Sequence, residues 1–182
     1  MRSLRTKLIV LSLLLSITGF TQALTPATFA YDQYDTPELP PACGTIQVED
    51  GNRVAYRAFA VGVQRYRWDG TAWVFVEPVA TLYKDADYTN KDGVHYAGPT
   101  WLANSGGKVV ATKVNQCTPD ATSIPWLLLK ATSNQGPGLF GAVTFIQRIN
   151  TKGGVAPIAP GTQIGALADV PYTTEYYFYR AN

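Results

Sequence analysis

The sequence has few of the side chains that most often carry catalysis. It contains one histidine, His95, and two cysteines in 182 residues. A metal site with several histidine ligands is therefore excluded, and a Ser-His-Asp triad would have to use His95. The Gly-x-Ser-x-Gly sequence of the nucleophile elbow is also missing. These absences leave few routes to hydrolytic chemistry.

A long apolar run occurs only at residues 8–20. It is 13 residues long, whereas crossing a membrane as a helix takes about 20 residues. Three cations, Arg2, Arg5 and Lys7, precede it and small residues follow, as in a secretory signal peptide. We predict a signal peptide over residues 1–23, with Ala30 as a second candidate cleavage position. The protein is then secreted or periplasmic, and in either case extracytoplasmic.

Charge gives no sign of a polyanionic partner. Residues 1–23 hold three of the 15 basic residues and none of the 13 acidic ones, so the chain without them has a formal charge of −1 rather than +2. We therefore expect no nucleic acid partner and no attraction to anionic membranes.

Helical periodicity is missing beyond residue 23, and 12 prolines and 16 glycines interrupt the chain. β-branched and aromatic segments separated by turn residues take its place. They lie at residues 53–68, 72–76, 80–83, 94–97, 108–114, 126–131, 142–149 and 170–180. The sequence predicts an all-β single domain over residues 46–182, a sandwich or closed barrel of about eight short strands. A proline-rich lead-in over residues 24–45 is expected to be extended.

A membrane-spanning barrel of eight strands is the rival architecture. Residues 126–129, Trp-Leu-Leu-Leu, are apolar on both faces, as in a strand that is covered on both sides. Several predicted strands are also shorter than the roughly 9 to 11 residues that a spanning strand needs. We therefore expect a protein that does not span a membrane after the signal is removed.

Cys43 and Cys117 are the two cysteines. In an exported protein they can form one disulfide bond, and they can equally be two separate buried thiols. A catalytic pair of one cysteine with His95 is a third and less favoured interpretation.

Five phrases occur in a fixed order along the chain. They are WVFVEP at 73–78, HYAGPTW at 95–101, IPWLLL at 124–129, IQRINTKGG at 146–154 and VPY at 170–172 leading to Tyr177 and Phe178. With this order and spacing the chain resembles the domain-of-unknown-function 3455 family of secreted proteins, over roughly residues 37–180. The resemblance implies no particular activity.

The resemblance also implies cysteines at two places where this chain has none. Relatives often have one just after the stretch that corresponds to residues 64–66 and another after that of residues 156–157. This chain has Arg67 or Trp68 at the first place and Pro160 at the second. A bridge between those positions is absent here, and Cys43 and Cys117 are a different pair or no pair.

Residues 136–141, Gly-Pro-Gly-Leu-Phe-Gly, match the GxGxxG spacing of dinucleotide-binding proteins. That chemistry needs a helix after the glycines and an acid about 20 residues further on. Here a β-branched segment follows, and the next acid is Asp169. We interpret these residues as a turn and predict no cofactor.

An acidic turn precedes His95. Asp85, Asp87, Asn90 and Asp92 could gather around a hard cation such as Ca²⁺. Their spacing does not fit the EF-hand loop, and a solvated acidic turn is the favoured interpretation. Apart from this candidate, no metal site is predicted.

Residues 93–101 are the best candidate for a functional site. They bring a titratable group, His95, together with two stacking surfaces, Tyr96 and Trp101. Arg148, on a later predicted strand, could add a charged group. A buried aromatic loop whose histidine bonds to backbone is the alternative.

Three functions compete. The first is a non-catalytic extracytoplasmic module that binds a saccharide or another small polar ligand by aromatic stacking. The second is a hydrolase in which His95 acts as general acid or base beside Asp92 or Glu175. The third is a structural protein of the cell surface or matrix. Exposed clustering of Trp73, Tyr96 and Trp101 would favour binding, whereas a pocket that joins His95 to a carboxylate would favour catalysis.

Overall fold

A computed structural model describes residues 35–182. The predicted signal peptide, residues 1–23, lies outside the described residues, as do residues 24–34 of the predicted lead-in. The first element is a short 3-10 helix, Pro41–Ile46, and a second one, Leu139–Ala142, follows the sixth strand. The strands are β1 (Asn52–Trp68), β2 (Trp73–Tyr83), β3 (Lys91–Tyr96), β4 (Thr100–Ala103), β5 (Lys108–Cys117), β6 (Trp126–Gln135), β7 (Phe145–Gly153) and β8 (Leu167–Ala181).

The eight strands form a closed barrel. Each strand pairs antiparallel with the next one in sequence, and β8 pairs with β1 to close the ring. The predicted all-β fold of about eight strands is therefore confirmed, in its closed-barrel form. Among residues 35–182 no helix is both long and apolar enough to cross a membrane.

The barrel interior is one hydrophobic core. Small residues of β1, Ala58 and Ala60, face large rings from other strands, among them Trp101, Tyr176 and Phe178, and all five are at most 1% exposed. This mixture of small and large side chains fills the interior of a small barrel.

A second core lies on the outer face of the barrel. Tyr177 and Tyr179 of β8 belong to it, whereas Tyr176 and Phe178 belong to the interior, as strand alternation requires. The first 3-10 helix covers this face with Cys43 and Ile46, both fully buried. Residues 41–45 are therefore helical, which corrects the extended conformation that we expected for them.

A disulfide bond joins this helix to the barrel. Cys43 and Cys117, at the end of β5, are bridged with their Cα atoms 5.3 Å apart. Fully buried Gln147 adds a polar anchor, since its Nε2 donates to the Ile46 carbonyl at 2.7 Å and its Oε1 accepts from the Tyr179 hydroxyl. Of the alternatives left open by the sequence, the disulfide is the one that the structure has.

The strand boundaries differ from the prediction at β2. The segments expected at 72–76 and 80–83 are one strand that runs through buried Pro78. Pro78 pairs with Gln64 of β1, but β3 pairs only with residues 80–83 of β2. Proline is tolerated because this part of β2 has a ladder on one side only.

Trp68 packs tightly against Gly161. Trp68 lies so close to Gly161 that a Cβ atom there would be 2.4 Å from the Trp68 Cγ. Glycine is therefore required beneath the indole, next to Pro160.

Candidate functional site

A cavity of about 270 Å³ opens at one end of the barrel. All eight strands contribute side chains to its wall. Its rim is exposed and includes Phe75, Pro99, Lys113 and Gln116. Its inner wall is formed by Gln64, Tyr66, Pro78, His95, Trp101, Ile124, Pro125, Leu127, Leu129, Arg148 and Tyr176. The wall is mostly apolar and aromatic, with a few polar groups.

His95 lies in this wall and is 3% exposed. Its Nδ1 is 2.9 Å from the Thr100 carbonyl oxygen, which can only accept, so Nδ1 carries the proton and Nε2 is an acceptor. Burial lowers the pKa of His95 from 6.5 to about 3, against the effect of the Thr100 bond and with a smaller contribution from the charge of Arg148. The imidazole is therefore neutral near pH 7.

Trp101 and Tyr176 hold the imidazole in place. The rings of His95 and Trp101 are stacked, and the edge of His95 meets Tyr176 with centroids 5.3 Å apart. Burial raises the pKa of Tyr176, while Arg148 and the Tyr172 hydroxyl oppose the rise. Tyr176 is therefore a neutral hydroxyl in this site.

Three buried donors of the wall have no hydrogen-bond partner of acceptable geometry among the described residues. They are Gln64 Nε2, Trp101 Nε1 and the Tyr176 hydroxyl, on residues that are at most 2% exposed. Tyr172 and Arg148 approach the Tyr176 hydroxyl, and Gln64 approaches the Tyr172 hydroxyl, without completing such bonds. Buried polar groups are nearly always bonded, so three donors without such a bond around one cavity are an unusual feature of its wall.

Arg148 carries positive charge to the wall. Its Nε and Nη2 both donate to the Pro125 carbonyl, at 3.2 and 2.8 Å. Within residues 35–182 it forms no ion pair, since Glu175 pairs with Arg57 and Asp169 pairs with Arg65. At the rim, Lys113 Nζ donates to Gln116 at 3.0 Å.

The carboxylates proposed as partners of His95 lie elsewhere. Asp92 accepts from the Tyr56 hydroxyl at 2.7 Å and pairs with Lys84 at 3.3 Å. Glu175 pairs with Arg57 at 2.6 Å. The described cavity wall contains no acidic side chain. The pocket therefore includes His95 but does not join it to a carboxylate.

The three aromatic residues named from the sequence do not share an exposed face. Trp101 is 1% exposed, inside the barrel, whereas Tyr96 is 36% exposed and does not line the cavity. Trp73 donates from its indole nitrogen to the Ala159 carbonyl at 2.8 Å. Among the candidate ligand-binding residues, the structure brings together His95, Trp101 and Arg148.

Asp85 closes its own turn. Its carboxylate accepts from the backbone N–H groups of Thr89 and Asn90 at 2.9 and 2.8 Å, and the Thr89 bond contributes most to lowering its pKa to about 2. Asp87 is exposed, and no group of three potential metal ligands occurs in the described part of the chain. The Asp85 carboxylate therefore accepts hydrogen bonds from within its own turn.

Residues 136–141 connect β6 to β7, and the short 3-10 helix Leu139–Ala142 lies within this connection. The two strands are antiparallel neighbours, so no βαβ unit surrounds the glycines.

Sequence reasoning missed Gln64 and Tyr176. Both sit at inward positions of long strands, in rows that also hold apolar residues such as Ala60 in β1 and Phe178 in β8. A polar side chain in a mostly apolar inward row was the available signal, but it required knowing which face of each strand is inside.

The fold and the cavity define the class of this protein, an eight-stranded antiparallel barrel with a partly polar interior cavity at one end. The model of the family described as "Protein of unknown function (DUF3455)" matches residues 49–180, and the chain belongs to this family. The resemblance carried by the five phrases is thereby confirmed. No curated protein and no solved structure gives a significant match.

Proposed function

We propose that this protein is a non-catalytic, extracytoplasmic binding protein that takes a small molecule into the interior of its barrel. The observation that carries the proposal is the set of buried, unbonded donors on Gln64, Trp101 and Tyr176 around one cavity. Leaving such a donor unbonded costs about 1 to 3 kcal/mol, which a ligand oxygen placed between them would offset.

The chemistry of His95 supports binding over catalysis. A general base works best with a pKa near the working pH, and the pKa of His95 lies at about 3 because of burial. With Nδ1 bonded to Thr100, Nε2 is left as a fixed acceptor. His95 therefore contributes a neutral, fixed ring to the wall and does not exchange protons near neutrality.

The cavity wall favours an apolar or amphipathic ligand over a saccharide. Phe75, Leu127 and Leu129 provide apolar surface, whereas a sugar would need acceptors for its many hydroxyl groups. The volume of about 270 Å³ exceeds the roughly 150 Å³ of an engineered cavity that holds benzene. One ring with a short polar arm fits this space.

The experiment is a ligand-observed NMR titration with nitrobenzene, a neutral ring that carries two acceptor oxygens. We expect saturable binding to the wild-type protein and loss of binding in Leu127→Trp, which fills the cavity. Val114→Trp is the matched control, because Val114 is 53% exposed and is not part of the wall. Thermal melts of both variants establish that they are folded.

Nitrobenzene that binds Leu127→Trp as well as the wild type would contradict the proposal, as would failure of the protein to bind either nitrobenzene or its carboxylate counterpart, benzoate. Glucose is titrated in parallel. Saturable glucose binding that is lost in Leu127→Trp would support the saccharide alternative.

A further inference from the structure

We infer that the ligand is an anion, a small carboxylic acid with an apolar or aromatic body, whose carboxylate is held by Arg148 with the hydroxyl of Tyr176. This inference rests on the proposed binding function and specifies its ligand class.

The charge of the cavity favours an anion. Its lining includes two cations, Arg148 and Lys113, and no acidic side chain. The two acids of the neighbouring strand β8 pair with other arginines, Glu175 with Arg57 and Asp169 with Arg65. A cationic ligand would find no counter-charge here, whereas an anion would find Arg148 without a salt-bridge partner among residues 35–182.

The hydrogen-bond donors of the wall also favour a carboxylate. Gln64 Nε2 and Trp101 Nε1 are donors only, and the Tyr176 hydroxyl can donate. With the guanidinium they form a surface that is rich in donors. A carboxylate offers about four lone-pair positions on two oxygens, which is the complement of such a surface.

The position of the Arg148 guanidinium also suits a carboxylate. Two of its nitrogens donate to the Pro125 carbonyl, so its plane is fixed against the wall. Burial raises the pKa of Tyr66 and of Tyr176, and the charge of Arg148 opposes both increases, so this charge is felt within the barrel. A planar, oriented guanidinium suits a carboxylate, whose two oxygens lie in one plane.

The apolar part of the wall excludes a bare inorganic anion as the natural fit. A small inorganic ion has no apolar surface, so it would leave the side chains of Ile124, Leu127 and Leu129 uncovered. An acid with a ring or a short chain fills the space and buries this surface.

The test uses three small molecules of nearly equal shape that differ in charge. They are benzoate, nitrobenzene and benzamidine, titrated at pH 7 against the wild-type protein. We expect benzoate to bind at least tenfold more tightly than nitrobenzene and benzamidine to bind most weakly of the three. Arg148→Gln should weaken benzoate binding about tenfold or more and leave nitrobenzene within about twofold, as for loss of one charge-assisted bond.

Arg67→Gln is the matched control, because Arg67 is exposed and lies outside the cavity wall. It should change neither affinity. Arg148→Lys keeps the charge but loses the planar fork, and we expect an intermediate affinity for benzoate. If a thermal melt shows that Arg148→Gln is unfolded, the inference is tested by two other results. These are the benzoate affinity of Arg148→Lys and the preference of the wild type for benzoate over nitrobenzene.

Nitrobenzene binding as tightly as benzoate would overturn the anion inference and leave the binding function intact. Tighter benzoate binding that Arg148→Gln and Arg148→Lys leave unchanged would also overturn it, because the anchor would be another group. Failure of both benzoate and nitrobenzene to bind would overturn the binding function itself.

Discussion

The imidazole of His95 stacks on the indole of Trp101, with ring centroids 4.2 Å apart and an angle of 12° between the planes. The same imidazole bonds to Thr100 through Nδ1 and meets the edge of Tyr176. His95 is therefore part of the packed interior as well as of the cavity wall.

We expect His95→Gln to lower the free energy of unfolding by about 1 to 3 kcal/mol. The glutamine loses the ring stacking, and it leaves buried polar atoms poorly bonded. Urea unfolding measures the change. Tyr96→Gln, at the exposed neighbouring position, serves as control and should have a much smaller effect. A His95→Gln protein as stable as the wild type would show that the packing contributes little.

Acid should destabilise the protein through His95. The folded protein keeps the imidazole unprotonated down to about pH 3, whereas the unfolded chain takes up a proton below about pH 6.5. Protonation therefore favours the unfolded chain between these values, and stability falls by about 2 kcal/mol from pH 7 to pH 5. Carboxylates whose pKa is lowered in the folded protein, such as Asp85, reduce the stability only when the pH falls below about 4.

The measurement is urea unfolding at several pH values between 5 and 7. His95→Gln should flatten this part of the stability curve. An equal pH dependence in the variant would assign the effect to another group.

Reduction of the Cys43–Cys117 bond should destabilise the protein. The bridge joins residues separated by 74 positions, and chain-entropy arguments give about 4 kcal/mol for a loop of this size. We expect dithiothreitol to lower the melting temperature of the wild type. It should not affect a Cys43→Ser, Cys117→Ser double variant, which melts at the lower temperature throughout. Titration of two free thiols in the unreduced, unfolded wild type would refute the bridge.

The mature protein should begin near Leu24 and be found outside the cytoplasm. The reason is the charged, then apolar, then small-residue order of residues 1–23. N-terminal sequencing of the exported protein locates the first residue. Recovery of the chain with Met1 intact from a membrane fraction would contradict the prediction, and a start at Tyr31 would move the cleavage to the second site.

Much of the fold followed from local pattern. Strands β1, β5, β6 and β8 were predicted because apolar, β-branched or aromatic residues recur along them between turn residues. β2 was divided at Pro78 because sequence does not show that one side of that strand is unpaired. β4, with four residues, is too short to stand out against the turns on either side of it.

The candidate site was predicted only in part. His95, Trp101 and Arg148 were named from chemistry and do line one cavity. Tyr96 was named with them because it is adjacent in sequence, but neighbouring residues of a strand face opposite sides. Gln64 and Tyr176 lie far from His95 in sequence, and the closed barrel brings all three to the wall of one cavity.

The one-sided pairing of β2 has a consequence for exchange with solvent. Residues 73–79 of β2 have a hydrogen-bonded neighbour in β1 but none in β3, and this stretch contributes Phe75, which is 50% exposed, to the rim of the cavity. In the proposed function, a small molecule that enters along this stretch would have no β2–β3 hydrogen bond to break. We expect its exchange to follow the rotation of side chains such as Phe75, which is far faster than opening of the barrel.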